Sequence, residues 1–143
     1  MMKLFHICKS FILLSDENDN ELRRWVCICL GLTWSEFSAA RWVGVRDSAH
    51  EKIYSILEDP NPEVRAAAMF ALGTFMNSAS ERTEHSNSID HSVAAGIINR
   101  VGADECSPLV RQEMVVALHN FVLVFENVFV AIEQQNIINQ GMI

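Results

Sequence analysis

A polar stretch near the middle of the chain gathers residue types that could bind a metal ion. It runs from Asn77 to Ser92 and contains Glu81, Glu84, His85, Asp90 and His91. Zinc sites hold three or four ligands at short spacings on a rigid frame, which two widely spaced histidines in a serine-rich segment do not provide. The stretch therefore predicts a solvent-exposed connection between helices, and we expect no metal ligand in it.

Nucleophilic catalysis is a second chemistry that these residue types permit. It requires a serine or cysteine beside a histidine and an orienting acid. The sequence has no nucleophile elbow and no glycine-rich phosphate loop. The cysteines Cys8, Cys27, Cys29 and Cys106 lack metal-type pair spacing, and Cys27 and Cys29 fall in an apolar helix where an inert thiol is expected. We therefore expect no enzyme activity, no catalytic residue and no cofactor.

An acidic residue stands six positions before an arginine at three places in the chain. The pairs are Glu17 with Arg23, Asp59 with Arg65, and Glu105 with Arg111. One interpretation is a row of charges that binds a ligand. The other is a structural ladder, in which acids and arginines join the turns of successive repeats. We favour the ladder, because a joint between repeats must recur at the repeat period.

The three arginines also mark an internal repeat. Arg23, Arg65 and Arg111 lie 42 and 46 residues apart, within the period of about 40–47 residues that HEAT and armadillo units show. The clearest copy, from Val64 to Phe75, places apolar residues at helical spacing along one stripe. The third copy keeps this stripe except where Glu113 breaks it. The pattern predicts an all-α fold.

Each repeat helix needs a partner helix before it, and helical patterns are present at the required places. The predicted hairpins pair residues 3–14 with 20–35, 47–57 with 61–77, and 89–102 with 108–126. The whole chain, 1–143, is thus predicted to be one segment of an α-solenoid with about three HEAT- or armadillo-type hairpins (repeats about 3–35, 47–77 and 89–126). Residues 127–143 are predicted to begin a further helix. Neither end carries a polar cap, so we expect a piece of a longer array.

The segment between the first two hairpins contains a candidate binding anchor. Arg41 and Trp42 lie in what the pattern suggests is a loop, and arginine and tryptophan dominate interface energies. A hydrophobic plug over the edge of the stack explains Trp42 equally well. Both interpretations stay open on the sequence alone.

The charge balance bears on the choice of partner. Eleven basic and eighteen acidic residues give a net charge of -7, with no cluster of lysine or arginine. Such a chain has little with which to neutralise a row of phosphates, so we expect no nucleic-acid partner. No run approaches the ~20 apolar residues of a membrane span, so we expect no direct membrane insertion.

One long stretch carries a specific family resemblance. The run from Ala40 to Ala95, which includes RDSAHEKIYSILEDPNPEVRAAAMFALGTF, closely resembles the HEAT-repeat region of the Raptor family, the regulatory-associated proteins of the TOR kinase. The similarity extends through LRRWVCICLG before it and SPLVRQEMVVALHNFV after it, from about Leu22 to Phe125.

The resemblance implies a non-catalytic adaptor of TOR complex 1. Raptor proteins hold the TOR kinase with the other components of the complex and present substrates to it in nutrient signalling. They also respond to amino acids through Rag GTPases, which implies a cytoplasmic protein that partners recruit to the lysosomal surface. The alternative, on the repeat alone, is a generic HEAT or armadillo adaptor outside TOR signalling.

Overall fold

The computed structural model describes residues 18–77, 83–101 and 104–141, and its regular elements there are helical. The α-helices are α1 (Asn20–Glu36), α2 (Ser38–Arg46), α3 (Ala49–Ser55), α4 (Pro62–Met76), α5 (Glu84–Val101) and α6 (Pro108–Asn139), with a short 3₁₀ turn at Ile56–Glu58. This confirms the all-α prediction. The first predicted partner helix, at about 3–14, lies outside the described residues.

The repeat helices begin where local chemistry satisfies their first backbone donors. The Asp19 carboxylate accepts hydrogen bonds from the backbone N–H groups of Glu21 and Leu22 at the start of α1. The Asn61 side chain accepts from the Glu63 N–H at the start of α4, where Pro62 occupies the first turn. Proline is well suited to this place because its missing N–H would be unpaired in any case.

The inner layer is a stack of α1, α4 and α6, with α4 packed against both neighbours. Small residues permit the close approach. A Cβ atom added to Gly31 of α1 would lie 2.5 Å from the Phe70 ring of α4, and one added to Gly73 would lie 3.1 Å from the Cα atom of Ala117 of α6. Most apolar side chains of α4 are therefore buried against neighbouring helices.

The outer layer contains α2, α3 and α5, and here the prediction was partly wrong. Residues 38–46 form the helix α2, although the sequence suggested a loop, so the middle repeat contains three helices. The break between α2 and α3 falls at Ser48, whose backbone is left-handed with φ 52°. One such residue ends a helix and redirects the chain, which divides the outer helix in two.

Two further boundaries differ from the prediction. Helix α5 begins at Glu84, so much of the supposed loop is helical. Thr83 and Ser86 explain this start, because each side-chain oxygen accepts a hydrogen bond from the other residue's backbone N–H, as in a capping box. Helix α6 continues without a break from Pro108 to Asn139, so 127–143 does not begin a separate helix. That stretch holds no proline or glycine before Gly141 that would end the helix.

Helix α6 presents an apolar face whose equivalents in the other repeats are buried. Val115 and Val122 are 64% and 57% exposed. At the repeat spacing they correspond to Met69 and Met76 of α4, which are fully buried against neighbouring elements. Among the described residues, the stretch Pro108–Glu126 also has the length and composition of a membrane-crossing helix. The position of α6 in the repeat explains this apolar surface in another way, because each repeat buries the equivalent face by stacking on a neighbour.

The central position of α4 yields a direct test of the core. Leu72→Asp would place a charge at a fully buried site, so we expect a loss of about 4 kcal/mol or more in the free energy of unfolding. Val115→Asp is the matched control at an exposed apolar position, with an expected change within about 0.5 kcal/mol. Thermal melting followed by far-UV circular dichroism measures both. Equal melting temperatures for the two variants would refute this core.

Candidate functional site

The arginines and acids of the repeat form ion pairs between successive repeats. Arg23 of α1 donates from Nε and Nη2 to the two carboxylate oxygens of Asp59, at 2.7 and 3.2 Å. Arg65 of α4 donates in the same two-pronged manner to Glu105, at 2.9 Å for each bond. The acid side chains are largely buried. Each arginine therefore reaches forward to the acid of the next repeat.

The six-residue spacing has a separate structural basis in the middle repeat. Arg65 donates from Nη1 to the backbone carbonyl of Asp59, at 2.8 Å, and not to its carboxylate. The Asp59 carboxylate instead accepts from the Asn61 N–H, and Glu105 accepts likewise from the Ser107 N–H. One carboxylate thus holds its own turn and binds the preceding arginine. We refer to the pairs Arg23–Asp59 and Arg65–Glu105 as the ladder.

The ladder changes the proton affinity of its members. Hydrogen bonding from Arg65 holds the pKa of Glu105 below its ordinary value, and the Ser107 N–H acts in the same direction. Hydrogen bonding to Asp59 likewise raises the pKa of Arg23. Hydrogen bonding to Glu105 also raises the pKa of Arg65. Arg111 lies exposed on α6, and the predicted ladder residue Glu17 lies outside the described residues.

A second ionic joint, which the sequence did not predict, connects the outer helices. Arg41 of α2 donates from Nη2 to Oδ1 of Asp90 on α5 at 2.7 Å, and both side chains are 1% exposed. The guanidinium lies 5.0 Å from the ring centroid of Phe75. Arg41 is therefore buried in the protein and is not an exposed binding anchor, which corrects the prediction for this residue. A signal did exist, because Asp90 falls on the apolar stripe that Val93 and Ile97 continue.

The Phe75 ring beside this joint is itself packed against two further rings. Phe75 packs edge-on against Trp34 with 5.0 Å between ring centroids, and it stacks on His50 at 5.4 Å. Burial lowers the pKa of His50, and the nearby positive charge of Arg41 acts in the same direction. The imidazole is therefore neutral at physiological pH. The arrangement joins α1, α2, α3, α4 and α5 through one cluster of side chains.

Trp42 has a different setting from its neighbour. It is 38% exposed on the surface of α2, where it lies in a shallow depression with Ala39, Val43 and Arg46. The structure thus separates the two predicted anchor residues, since one is buried in an ion pair and the other remains at the surface.

The inner layer carries a larger groove of about 420 Å³. Three helices contribute to it, and most of the lining is apolar. The lining residues are Arg24, Trp25 and Ile28 from α1, Glu63, Ala66, Ala67 and Phe70 from α4, and Leu109 and Glu113 from α6. We call this the inner groove. It is a surface of the kind on which helical repeat proteins bind other proteins.

Cys27, His91 and Asp90 are residue types that serve in catalysis or metal binding, and in this fold they are held by packing contacts and an ion pair. Burial raises the pKa of Cys27 to about 12, so its thiol stays protonated and unreactive. His91 packs against the rings of Phe121 and Phe125, while Asp90 pairs with Arg41. Across residues 18–77, 83–101 and 104–141, no group of three or more histidine, cysteine or acidic side chains is placed to hold a metal ion.

Sequence comparison relates the chain to known proteins. Residues 51–79 match the HEAT repeat family. The chain is 38% identical over 105 residues to target of rapamycin complex 1 subunit mip1 of Schizosaccharomyces pombe, covering 73% of this chain and 8% of that protein. It is 34% identical over 131 residues to regulatory-associated protein of TOR 2 of Oryza sativa subsp. japonica, covering 84% of this chain and 10% of that protein.

Structural comparison gives the same relationship. The crystal structure of Chaetomium thermophilum Raptor superposes on 94% of this chain with a TM-score of 0.77 and 32% sequence identity. The match covers 12% of the Raptor chain. The chain thus spans about a tenth of the length of the relatives it matches.

The ladder can be tested by a double-mutant cycle on Arg65→Met and Glu105→Gln. We expect about 1–2 kcal/mol of coupling at neutral pH, because this paired geometry is partly buried. A glutamate with a lowered folded pKa stabilises the protein fully above its ordinary pKa of 4.5. The coupling should therefore disappear as the pH falls below that value and through the folded pKa. Urea denaturation at several pH values measures it.

The exposed pair Arg24–Glu63 provides the control for this cycle, since its side chains are much more open to solvent. Arg24→Met with Glu63→Gln should show coupling of about 0–1 kcal/mol. If the two cycles gave the same coupling, the ladder would be no more than a surface ion pair.

The buried joint predicts an asymmetric response to mutation. Asp90→Ala leaves the Arg41 charge buried without its carboxylate, so we expect a loss of about 3–5 kcal/mol in the free energy of unfolding. Arg41→Met combined with Asp90→Leu removes both charges and should recover much of that loss. Arg46→Met, at the exposed pair with Asp47, is the control. A double variant no more stable than Asp90→Ala would contradict this account.

Proposed function

Because this chain is a homologue of Raptor proteins and carries their HEAT-repeat fold, we propose that it is a non-catalytic scaffold segment of a TOR complex 1 subunit. The observation that carries the proposal is the 38% identity to a target of rapamycin complex 1 subunit over 73% of the chain. Similarity over most of three repeats favours this function over a generic adaptor, because the HEAT pattern alone constrains few positions in each repeat.

The physical role of such a segment is to hold binding surfaces in fixed positions. The ladder and the Arg41–Asp90 joint tie successive repeats at the turns and between the outer helices. A stack tied at both layers resists bending between repeats, so a surface built across several helices keeps its shape. In this proposal the segment supports binding of the TOR kinase and recruitment of its substrates, and it performs no chemistry itself.

Four of the acidic and thiol groups that the structure describes are used to hold the fold, which supports the scaffold proposal. Asp59 and Glu105 hold arginines of neighbouring repeats. Asp90 is buried against Arg41, and Cys27 is buried among apolar side chains. The inner groove, in contrast, is open and mostly apolar, as expected of a protein-binding surface.

The proposed partners are the TOR kinase and the other components of TOR complex 1, with Rag GTPases as a further partner. We propose a cytoplasmic location, with recruitment to the lysosomal surface through these partners. The support is the relationship to two relatives, of which one is named a target of rapamycin complex 1 subunit and the other a regulatory-associated protein of TOR.

A chimera tests the proposal. The matching segment of mip1 in Schizosaccharomyces pombe is replaced by this chain, and the tagged chimera is purified from cells. We expect the TOR kinase to co-purify at a level near that of unmodified mip1, because a scaffold segment needs its fold and surface and no catalytic group. Leu72→Asp in the chimera should abolish co-purification by disrupting α4.

The same strain allows the location to be measured by fluorescence microscopy with and without amino acids. The chimera should move to the vacuolar or lysosomal surface when amino acids are supplied. A chimera that is expressed and folded, but that neither recovers the kinase nor changes location, would refute the proposed function.

A further inference from the structure

The inner groove arises from a difference between the repeats. Its floor is formed by Ala66 and Ala67 of α4, and the equivalent positions carry larger residues on both sides. Trp25 of α1 and Glu113 of α6 stand at the position that Ala67 occupies in the middle repeat. Two small side chains between longer ones leave a depression across three helices. The groove is therefore produced by the sequence of the middle repeat and not by the repeat pattern itself.

The walls of the groove favour an apolar occupant. Trp25 is 53% exposed at the edge, and Leu109 is exposed on the opposite helix. Ile28 and Phe70 line the space between them. Exposed tryptophan is a costly surface residue in a monomer and is strongly enriched among residues that dominate binding energy. The volume of about 420 Å³ is enough for one or two side chains of a partner.

The charges at the rim favour a basic group on the occupant. Arg24 is already paired with Glu63 and with Glu21. Glu113, in contrast, has no hydrogen bond or ion pair with any residue that the structure describes. It is also the residue that breaks the apolar stripe of the third repeat, and helix packing gives no reason for a carboxylate there. A cation placed beside it would complement this charge.

We propose that the inner groove binds a segment of a partner protein that inserts an aliphatic or aromatic side chain over Ala66 and Ala67. The same segment places a lysine or arginine against the carboxylate of Glu113. A helical segment suits the site, since an apolar anchor and a basic residue one turn apart lie on one face of a helix. The inference needs only the groove, and it goes beyond the proposed function by giving the chemistry of the partner.

Fluorescence anisotropy with labelled synthetic peptides tests the proposal on the 143-residue chain. The probes are short helical peptides with one Phe or Leu and one Arg a turn apart. A second set is identical except that Glu replaces Arg. We expect the arginine set to bind at least ~5-fold more tightly, because only those peptides complement Glu113. Absence of binding by every peptide, or equal binding by both sets, would overturn the proposal.

Two substitutions locate the binding in the groove. Trp25→Ala should weaken binding of the arginine peptides by ~10-fold or more, because it removes the largest apolar wall. Glu113→Lys should reverse the preference, so that the glutamate peptides bind more tightly. A reversal cannot result from a general loss of folding. If Glu113→Lys left the preference unchanged, the basic group would not lie at this residue.

Matched controls use residues of the same type elsewhere. Trp42→Ala removes another exposed tryptophan on α2, and Glu126→Lys reverses an exposed carboxylate far along α6. Both should leave the affinity of the arginine peptides unchanged within about 2-fold. Peptide binding without kinase co-purification by the chimera would refute the proposed function alone. Co-purification without any peptide binding would refute the groove alone.

Discussion

The burial of α4 between α1 and α6 is the packing on which the rest of the molecule depends. A helix that is apolar on several faces cannot be stable alone in water, so it requires neighbours on both sides. Gly31 and Gly73 let the helices approach until backbone and side chain are in contact. The outer helices attach to this stack one by one, since α2 packs against α1, α3 against α4, and α5 against α6. The groove opens across the three inner helices.

Apolar packing alone does not fix the register of one repeat against the next. Ionic contacts between the repeats define that register. Apolar surfaces attract without strong direction, whereas a guanidinium and a carboxylate paired through two bonds fit in one geometry. The ladder supplies this two-bond geometry between the turns. Between the outer helices, Arg41 and Asp90 form a buried ion pair at 2.7 Å. A scaffold benefits from such definition, because its function depends on the relative positions of its surfaces and not on a reacting group.

The departures from the repeat pattern give this segment surfaces that stacking alone does not require. Positions shared by all repeats are used for stacking, and they would be the same in any HEAT array. Ala66, Ala67 and Glu113 do not follow the neighbouring copies, and all three line the inner groove. The exposed apolar face of α6, in contrast, does follow the repeat pattern. The equivalent faces of α1 and α4 are buried.

The sequence by itself determined the all-α fold, the repeat helices and the residues of the ladder, because helical periodicity and a fixed repeat are local and recurrent signals. It misplaced α2, the start of α5 and the end of α6, since those boundaries depend on single turns or on the absence of a breaker. Only the tertiary structure decided that Asp59 pairs with Arg23, that Arg41 pairs with Asp90, and that α4 leaves a groove. The two ion pairs join residues 36 and 49 positions apart, and a partner at that distance is specified by packing in three dimensions and not by neighbours along the chain.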